Sequence, residues 1–299
     1  MAGFFAVAII IALAFVGNMV QSNAITTAMN EAIGASSLTL NLSLGVAIAF
    51  FVGLILFGGI SRISTFAGNV VPFMALLYIG GSVTILIQYA DQVIPTVELI
   101  VTAAISPEAA GGGVLGATIK EAIRYGIARG LFSNEAGMGS TPHAHAVARV
   151  KHPTQQGLVA MVGVFIDTVI ICTLTAMVIL LTDAHQTGLA GSAITQEGFA
   201  RGLGEFGIPF IAICLLFFAF TTILGWAYFG EVNVKFLFGE KAIPFYRAIV
   251  LTCIVLGALV QVDFVWEMAD SFNALMVLPN VIALLALTKV VKSKWNEIQ

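Results

Sequence analysis

The sequence predicts an all-α polytopic membrane protein of about eight transmembrane helices. Three observations carry that prediction. Of 299 residues, 59% are hydrophobic and 10% charged, against about 45–50% and about 25% in soluble domains. The apolar residues gather into eight long runs near the roughly 20 residues a bilayer requires. The basic residues between runs alternate from side to side. With a mean hydropathy of +1.00, the composition excludes both an ordinary soluble enzyme and a disordered chain. A net charge of −3 and a pI near 5.8 leave no basic footprint for nucleic acid.

The runs are read as helices because lipid cannot satisfy a free backbone polar group. The first covers 4–21; without a basic leader or a cleavage site before a soluble domain, it is not expected to be a signal peptide. The second (40–60) stops before Arg62 and the third (70–89) before Asp91. The connection 92–115 holds an amphipathic stretch at 95–105 and then Gly111 to Gly113, expected along the outer face. The fourth run, 117–150, is broken; the fifth is 158–181. The polar, glycine-rich connection 182–207 is expected outside, with room for a short surface helix. Runs six to eight are 208–229, 243–260 and 265–287, and Lys292-Ser-Lys-Trp295 reads as an interface anchor.

One set of connections carries nine bases: Arg62, Arg149, Lys151, Lys235, Lys241, Arg247, Lys289, Lys292 and Lys294. The other carries Glu31, Asp91, Glu98, Glu108, Asp183, Glu197, Glu205 and Asp263, with Arg201 its one clear base. The positive-inside rule then places the basic side and both termini in the cytoplasm.

Residues 126–145, GIARGLFSNEAGMGSTPHAH, hold most of the chemistry. Ile119, Ile123 and Ile127 begin a helix at i, i+4 spacing, but two glycines, a proline and a carboxylate follow. An interior glycine costs about 1 kcal/mol, and a charge at the membrane centre about 2.5–3.5 kcal/mol. Non-helical backbone at that depth must pack in protein or line a cavity. The carbonyls of a first half-helix suit a cation, and the N–H groups of a second suit a carboxylate. Secondary transporters use such discontinuous helices near the midplane. The plainer reading is a re-entrant kink or helix hairpin with Ser133 or Asn134 as N-cap.

Ser133-Asn-Glu-Ala-Gly-Met-Gly-Ser-Thr-Pro142 closely resembles the signature of the alanine/glycine:cation symporter family. Gly17-Asn-Met-Val-Gln-Ser-Asn23, Gly163-Val-Phe-Ile-Asp-Thr168 and Phe218-Ala-Phe-Thr-Thr-Ile-Leu-Gly-Trp226 look like that family too, so the resemblance runs nearly end to end. It implies sodium-coupled symport of a small neutral amino acid, alanine or glycine, into the cell. The implied fold is leucine-transporter-like, with ten core helices in two inverted five-helix repeats and core helices one and six broken. A break in the fourth of eight helices would make this chain core helices three to ten, as one membrane transporter domain over 1–299 of the cell membrane. The family's first broken helix, with about half of the substrate site and some sodium ligands, would then be missing. Met1-Ala-Gly-Phe4, which enters a span at once, reads as a cut. The implied substrate contacts are Gln21, Ser133, Asn134, Glu135, Ala136, Gly137 and Trp226. Thr221 and Thr222 are the implied sodium ligands, the ion being co-transported, with no other cofactor.

Read by themselves, several of these residues keep two meanings. Hydroxyls at Thr221 and Thr222 suit a hard cation, or they bond back to carbonyls four residues earlier. Trp226, one turn on from Thr222, caps a cavity or simply packs. Asn18, Gln21 and Asn23 contact substrate or tie helices together; the resemblance favours Gln21 for substrate. Asp167 is a functional candidate as an intramembrane acid: it neutralises an ion, relays a proton or pairs with a buried partner. Glu135 can bond the N–H groups freed by the break, or form a gate ion pair with Arg129. Glu267 and Asp270, at i, i+3, face an outer vestibule or a salt bridge.

His143, His145 and His152 suggest zinc, but histidines two apart point to different helix faces and no clear acid or cysteine completes the set, so no metal is expected. The resemblance puts small residues at 143 and 145. Cys172, Cys214 and Cys253 match no zinc or redox spacing and are expected as buried apolar groups. No catalytic triad, phosphate loop or zinc-protease motif occurs, so no enzyme is expected. The rival readings are proton-coupled transport, a truncated non-transporting fragment or scaffold, and an intramembrane metalloenzyme built on the histidines.

Overall fold

The computed structural model describes residues 1–105, 119–189 and 191–297, all helix and connection with no strand among them. The expected Gly111 to Gly113 turn and Glu108 lie outside the described residues, as does the side chain of Asp263. The helices are α1 (Ala2–Ile33), α2 (Leu38–Leu56), α3 (Gly59–Gln88), α4 (Ala90–Ile105), α5 (Ile119–Asn134) and α6 (Pro142–His145). They continue as α7 (Pro153–Leu181), α8 (Ser192–Leu203), α9 (Gly207–Phe238), α10 (Ile243–Gly257) and α11 (Val262–Asn296).

Among the described residues, six stretches are long and apolar enough to cross a membrane: α1, α2, α3, α7, α8 with α9, and Trp266–Asn296 of α11. Two of the eight expected spans are shorter. The fourth is divided into α5, an unwound stretch and the single turn α6. The seventh, α10, has 15 residues, or about 22 Å of helix.

α1 runs beyond the expected end at 21. It stops where Gly34, at φ +71°, turns its N–H back on the carbonyls of Asn30 and Glu31, a left-handed C-cap. Ser37 then starts α2, its hydroxyl accepting from the Leu40 N–H at 3.1 Å. Two spans carry a π-helical stretch, Ile10–Gly17 in α1 and Ile166–Cys172 in α7. Pro72 and Pro279 lie inside α3 and α11.

α9 is the hub. One apolar cluster joins its Ala219, Ile223, Leu224 and Ala227 to Ile10, Ala14 and Ile25 of α1 and to α2, α3 and α10. A second joins α1, Phe132, Met138 and Trp226 to Ala269 and Met276 of α11. A third gathers Tyr78 and Ile85 of α3, Val178 of α7, Phe199 of α8 and Phe210 of α9. Within it Phe199 is fully buried, so α8 docks into the core instead of lying on the surface.

Where α1 crosses α10 the backbones nearly touch: a Cβ on Gly257 would stand 2.5 Å from Met19 Cα. Small residues permit such approaches where lipid offers no hydrophobic drive. The amide of Asn23 donates to the carbonyls of Gly257 (3.1 Å) and Val260 (2.7 Å). Ser22 donates to Ile254 at 2.7 Å. These bonds tie α1 to the carbonyls at and just beyond the end of α10.

An unwound segment between α9 and α11 as the candidate functional site

α5 ends at Asn134, whose side chain closes a turn by accepting the Ala136 N–H at 2.8 Å. Three left-handed residues follow in alternation: Glu135 at φ +56°, Gly137 at +93° and Gly139 at +84°. Glycine adopts that region freely; for glutamate it costs about 1–2 kcal/mol.

The carboxylate of Glu135 is engaged on both oxygens. The indole N–H of Trp226 donates to Oε1 at 2.5 Å, and the Ser140 hydroxyl donates to Oε2. Trp226 is only 2% exposed. It is wedged edge-on against Phe132 and over Gly17, where a Cβ would lie 2.7 Å from the ring. From the other side Asn280 of α11 donates to the Gly137 carbonyl at 2.7 Å. A Cβ on Gly139 would sit 2.7 Å from Asn280 Oδ1. Glycine at 139 is thus required twice, for its φ and for the approach of α11.

At the lower end His143 Nδ1 lies 2.8 Å from the Ser140 carbonyl, and its Nε2 lies 2.9 Å from Asn233 Nδ2. The same Asn233 amide also donates to the Phe229 carbonyl at 2.8 Å, which fixes its orientation. A carbonyl only accepts and an amide NH2 only donates, so in this geometry Nδ1 carries the proton and Nε2 the lone pair. Ser140, fully buried, therefore links two ties to α9, one through Glu135 to Trp226 and one through His143 to Asn233.

The motif's residues divide among three neighbours. Ser133 donates to Asp167 at 2.8 Å, and Asn134 donates to Thr168 at 2.9 Å, both in the π-helical stretch of α7. Glu135 turns to α9 and Gly137 to α11, while Ala136 is exposed. Asp167, one of the open questions of the sequence, has Ser133 as its partner.

Two sequence expectations change, those for Arg129 and for the second half-helix, and the readings left open at Asp270 and Asn23 resolve. Arg129 pairs with Asp270 and not with Glu135: two bonds of 2.6 and 3.1 Å join them, and the guanidinium lies 4.2 Å above the Trp266 ring. Asp270 thus takes the salt-bridge reading. Asn23 is a helix tie to α10. The second half-helix, α6, is one turn, too short to aim a row of N–H groups at a carboxylate. The three histidines separate: His143 joins Asn233, His145 lies 2.7 Å from Gln156 Nε2, and His152 lies 3.3 Å from Glu297.

Thr221 and Thr222 both donate to carbonyls one turn back, at 2.9 Å to Phe217 and 2.9 Å to Phe218. A hydroxyl so bonded keeps lone pairs that can face a cation. Gln21 is half-buried and hydrogen-bonds none of the described residues through its side chain. Asn18 is fully buried; its amide N–H donates to Ala14 at 2.9 Å and its Oδ1 has no partner among the described residues. The sequence passed over Asn280, Ser140 and Asn233. A polar residue directly after a proline, as in Leu278-Pro-Asn280 within an apolar run, was the available signal for the first.

Residues 1–299 match the sequence model of the sodium:alanine symporter family. The chain belongs to that family. It is 44% identical over 293 residues to the probable sodium/glutamine symporter GlnT of Bacillus subtilis, covering 97% of this chain and 60% of GlnT. It is 38% identical over 291 residues to the sodium/alanine symporter AgcS of Methanococcus maripaludis, covering 95% and 62%. To the amino-acid carrier protein AlsT of Bacillus subtilis it is 37% identical over 294 residues, covering 98% and 61%. The chain spans about three-fifths of the length of the curated relatives it matches. Membership accords with a multi-pass, all-helical membrane protein.

Proposed function

We propose that this chain serves sodium-coupled symport of a small neutral amino acid, alanine or glycine, into the cell by alternating access. It acts as one membrane transporter domain of the cell membrane, with its basic face and C-terminus in the cytoplasm. The observation that carries this reading is the unwound stretch 135–141, out of regular helix and clamped between α9 and α11. Such backbone is tolerated among membrane helices where it lines a cavity, and it offers both N–H donors and carbonyl acceptors to a zwitterion.

Gln21, Ser133, Asn134, Glu135, Ala136, Gly137 and Trp226 are the substrate-side residues of this reading. Thr221 and Thr222 hold sodium, whose preference for oxygen ligands their hydroxyls meet. AgcS, by its name, pairs sodium with alanine, which supports this choice; GlnT, by its name, makes glutamine the competing substrate.

The test is uptake of labelled alanine by proteoliposomes holding the purified chain. An inward sodium gradient is expected to drive accumulation that glycine competes for more strongly than glutamine. Uptake driven by a pH gradient and indifferent to sodium would replace the reading with proton coupling. No uptake under either gradient would overturn it. The double variant Thr221→Ala, Thr222→Ala is expected to abolish sodium dependence, and sodium-driven uptake that survives it would remove the ion assignment.

A further inference from the structure

Away from the unwound segment, a groove of about 390 Å³ lies between α1, α2, α3 and α9, and no polar surface lines it. Leu44, Ala47, Phe51 and Leu54 of α2 form one wall, and Phe66 and Phe220 close the far side. From Leu44 to Ile55 the wall is about 16 Å long. All four helices contribute to stretches apolar and long enough to span a bilayer, so the groove lies at the depth of lipid tails.

One end of this groove is charged. Arg62, exposed at the start of α3, donates from Nη1 to the carbonyl of Leu54, itself a groove residue, at 2.8 Å. Its stem folds over Gly58, where a Cβ would meet it at 2.6 Å. The guanidinium is therefore pinned at the groove mouth with the rest of its five-donor fork available. It has no carboxylate partner among the described residues. A second guanidinium, Arg247, lies 5.3 Å from the Phe57 ring at the same turn, and Glu231 neutralises it.

We propose that this groove is a binding site for an anionic phospholipid, one acyl chain lying along α2 and the phosphate resting on Arg62. The commitment to a lipid follows from the match of parts: a wholly apolar slot at tail depth ending at one uncompensated guanidinium. Basic pockets between membrane helices on the cytoplasmic side bind anionic head groups. A head group with its own ammonium gains less, because that charge faces Arg62. The proposal does not depend on what the chain transports.

Native mass spectrometry of the purified chain, after exchange into micelles holding equal phosphatidylglycerol and phosphatidylethanolamine of matched chain length, tests this. The wild type is expected to retain one phosphatidylglycerol in preference. Arg62→Gln should bind it about fivefold more weakly, the loss expected for one basic residue at a lipid surface, and leave phosphatidylethanolamine unchanged. Arg62→Lys should restore part of the preference. Ala47→Trp, which fills the groove from an exposed position, should reduce retention of both lipids. Equal retention of the two lipids by the wild type would overturn the proposal, as would an Arg62→Gln protein that keeps the wild-type preference. A polypeptide found in the slot in place of lipid would overturn it too. Arg62 is on the surface, so its variants decide the matter even if Ala47→Trp fails to fold.

Discussion

Glu135 adopts a backbone conformation that penalises every residue with a Cβ, yet its carboxylate collects the Trp226 indole N–H and the Ser140 hydroxyl. Glu135→Ala would leave that indole N–H buried without an acceptor, at a cost of about 1–3 kcal/mol. Glu135→Gln keeps an acceptor for Trp226 and should cost less. Thermal unfolding of the purified proteins is expected to rank them wild type, Gln, then Ala; equal melting of the two variants would mean that the indole bond adds nothing. Gly17→Ala is expected to destabilise comparably, because its methyl group would displace the Trp226 ring. Glu135 and Trp226 were each legible as candidates, one from a charge in a glycine-rich break and one from a motif. Their bond was not, since the two stand 91 residues apart in the chain and no local pattern joins them. Arg129 shows the converse error: sequence nearness to Glu135 suggested a pair, whereas Asp270, on another helix, supplies it.

Among the elements, the broken helix was readable in its first half and misleading in its second. Glycine, proline and a carboxylate marked the break, but nothing in Pro142-His-Ala-His145 showed that it would make only one turn. The first apolar run reads as ending at 21. α1 continues to Ile33, since Ser22 and Asn23 are satisfied by carbonyls at the end of α10. A polar cluster looks like a helix end when its partners lie on another helix. The clamp from α11 supplies a test at this scale. Asn280→Leu would strand the Gly137 carbonyl and cost about 1–3 kcal/mol. Gly139→Ala should cost at least as much, because it meets both an unfavourable φ and the Asn280 side chain. If Gly139→Ala melts like the wild type, the close approach of α11 is wrong.

At the scale of the molecule, the class of fold was legible from composition and run length, quantities that need no tertiary contact. Membrane helices satisfy their own backbones, so the spans follow from local sequence; the order in which they pack does not. That α9 forms the hub, with apolar clusters on several sides, rests on long-range fits that hydropathy cannot express. The end of α11 is tied to the start of α7 at Glu297, which bonds Lys294 at 2.7 Å and His152 at 3.3 Å. Its carboxyl is held below the usual glutamate range, first by the Lys294 bond and then by that to His152. A depressed carboxylate strengthens the fold above its unfolded value, near 4.3, and loses that contribution as pH falls through the folded one. Amide protection factors at the end of α11 are therefore expected to drop on acidification below that range. Glu297→Gln should lower them already at neutral pH, and unchanged protection in that variant would show that the tie is idle.

The two ties that run from Ser140 to α9 end at Trp226 and Asn233, seven residues apart on one helix, or about 10 Å along its axis. Two anchors on one rigid rod define a line. A segment pinned to a rod at both points cannot slide along it or swivel about either pin without breaking a bond. Opening one pin, by contrast, leaves the other as a pivot. The unwound stretch is thus held to α9 at two points, and losing either bond alone leaves it attached at the other.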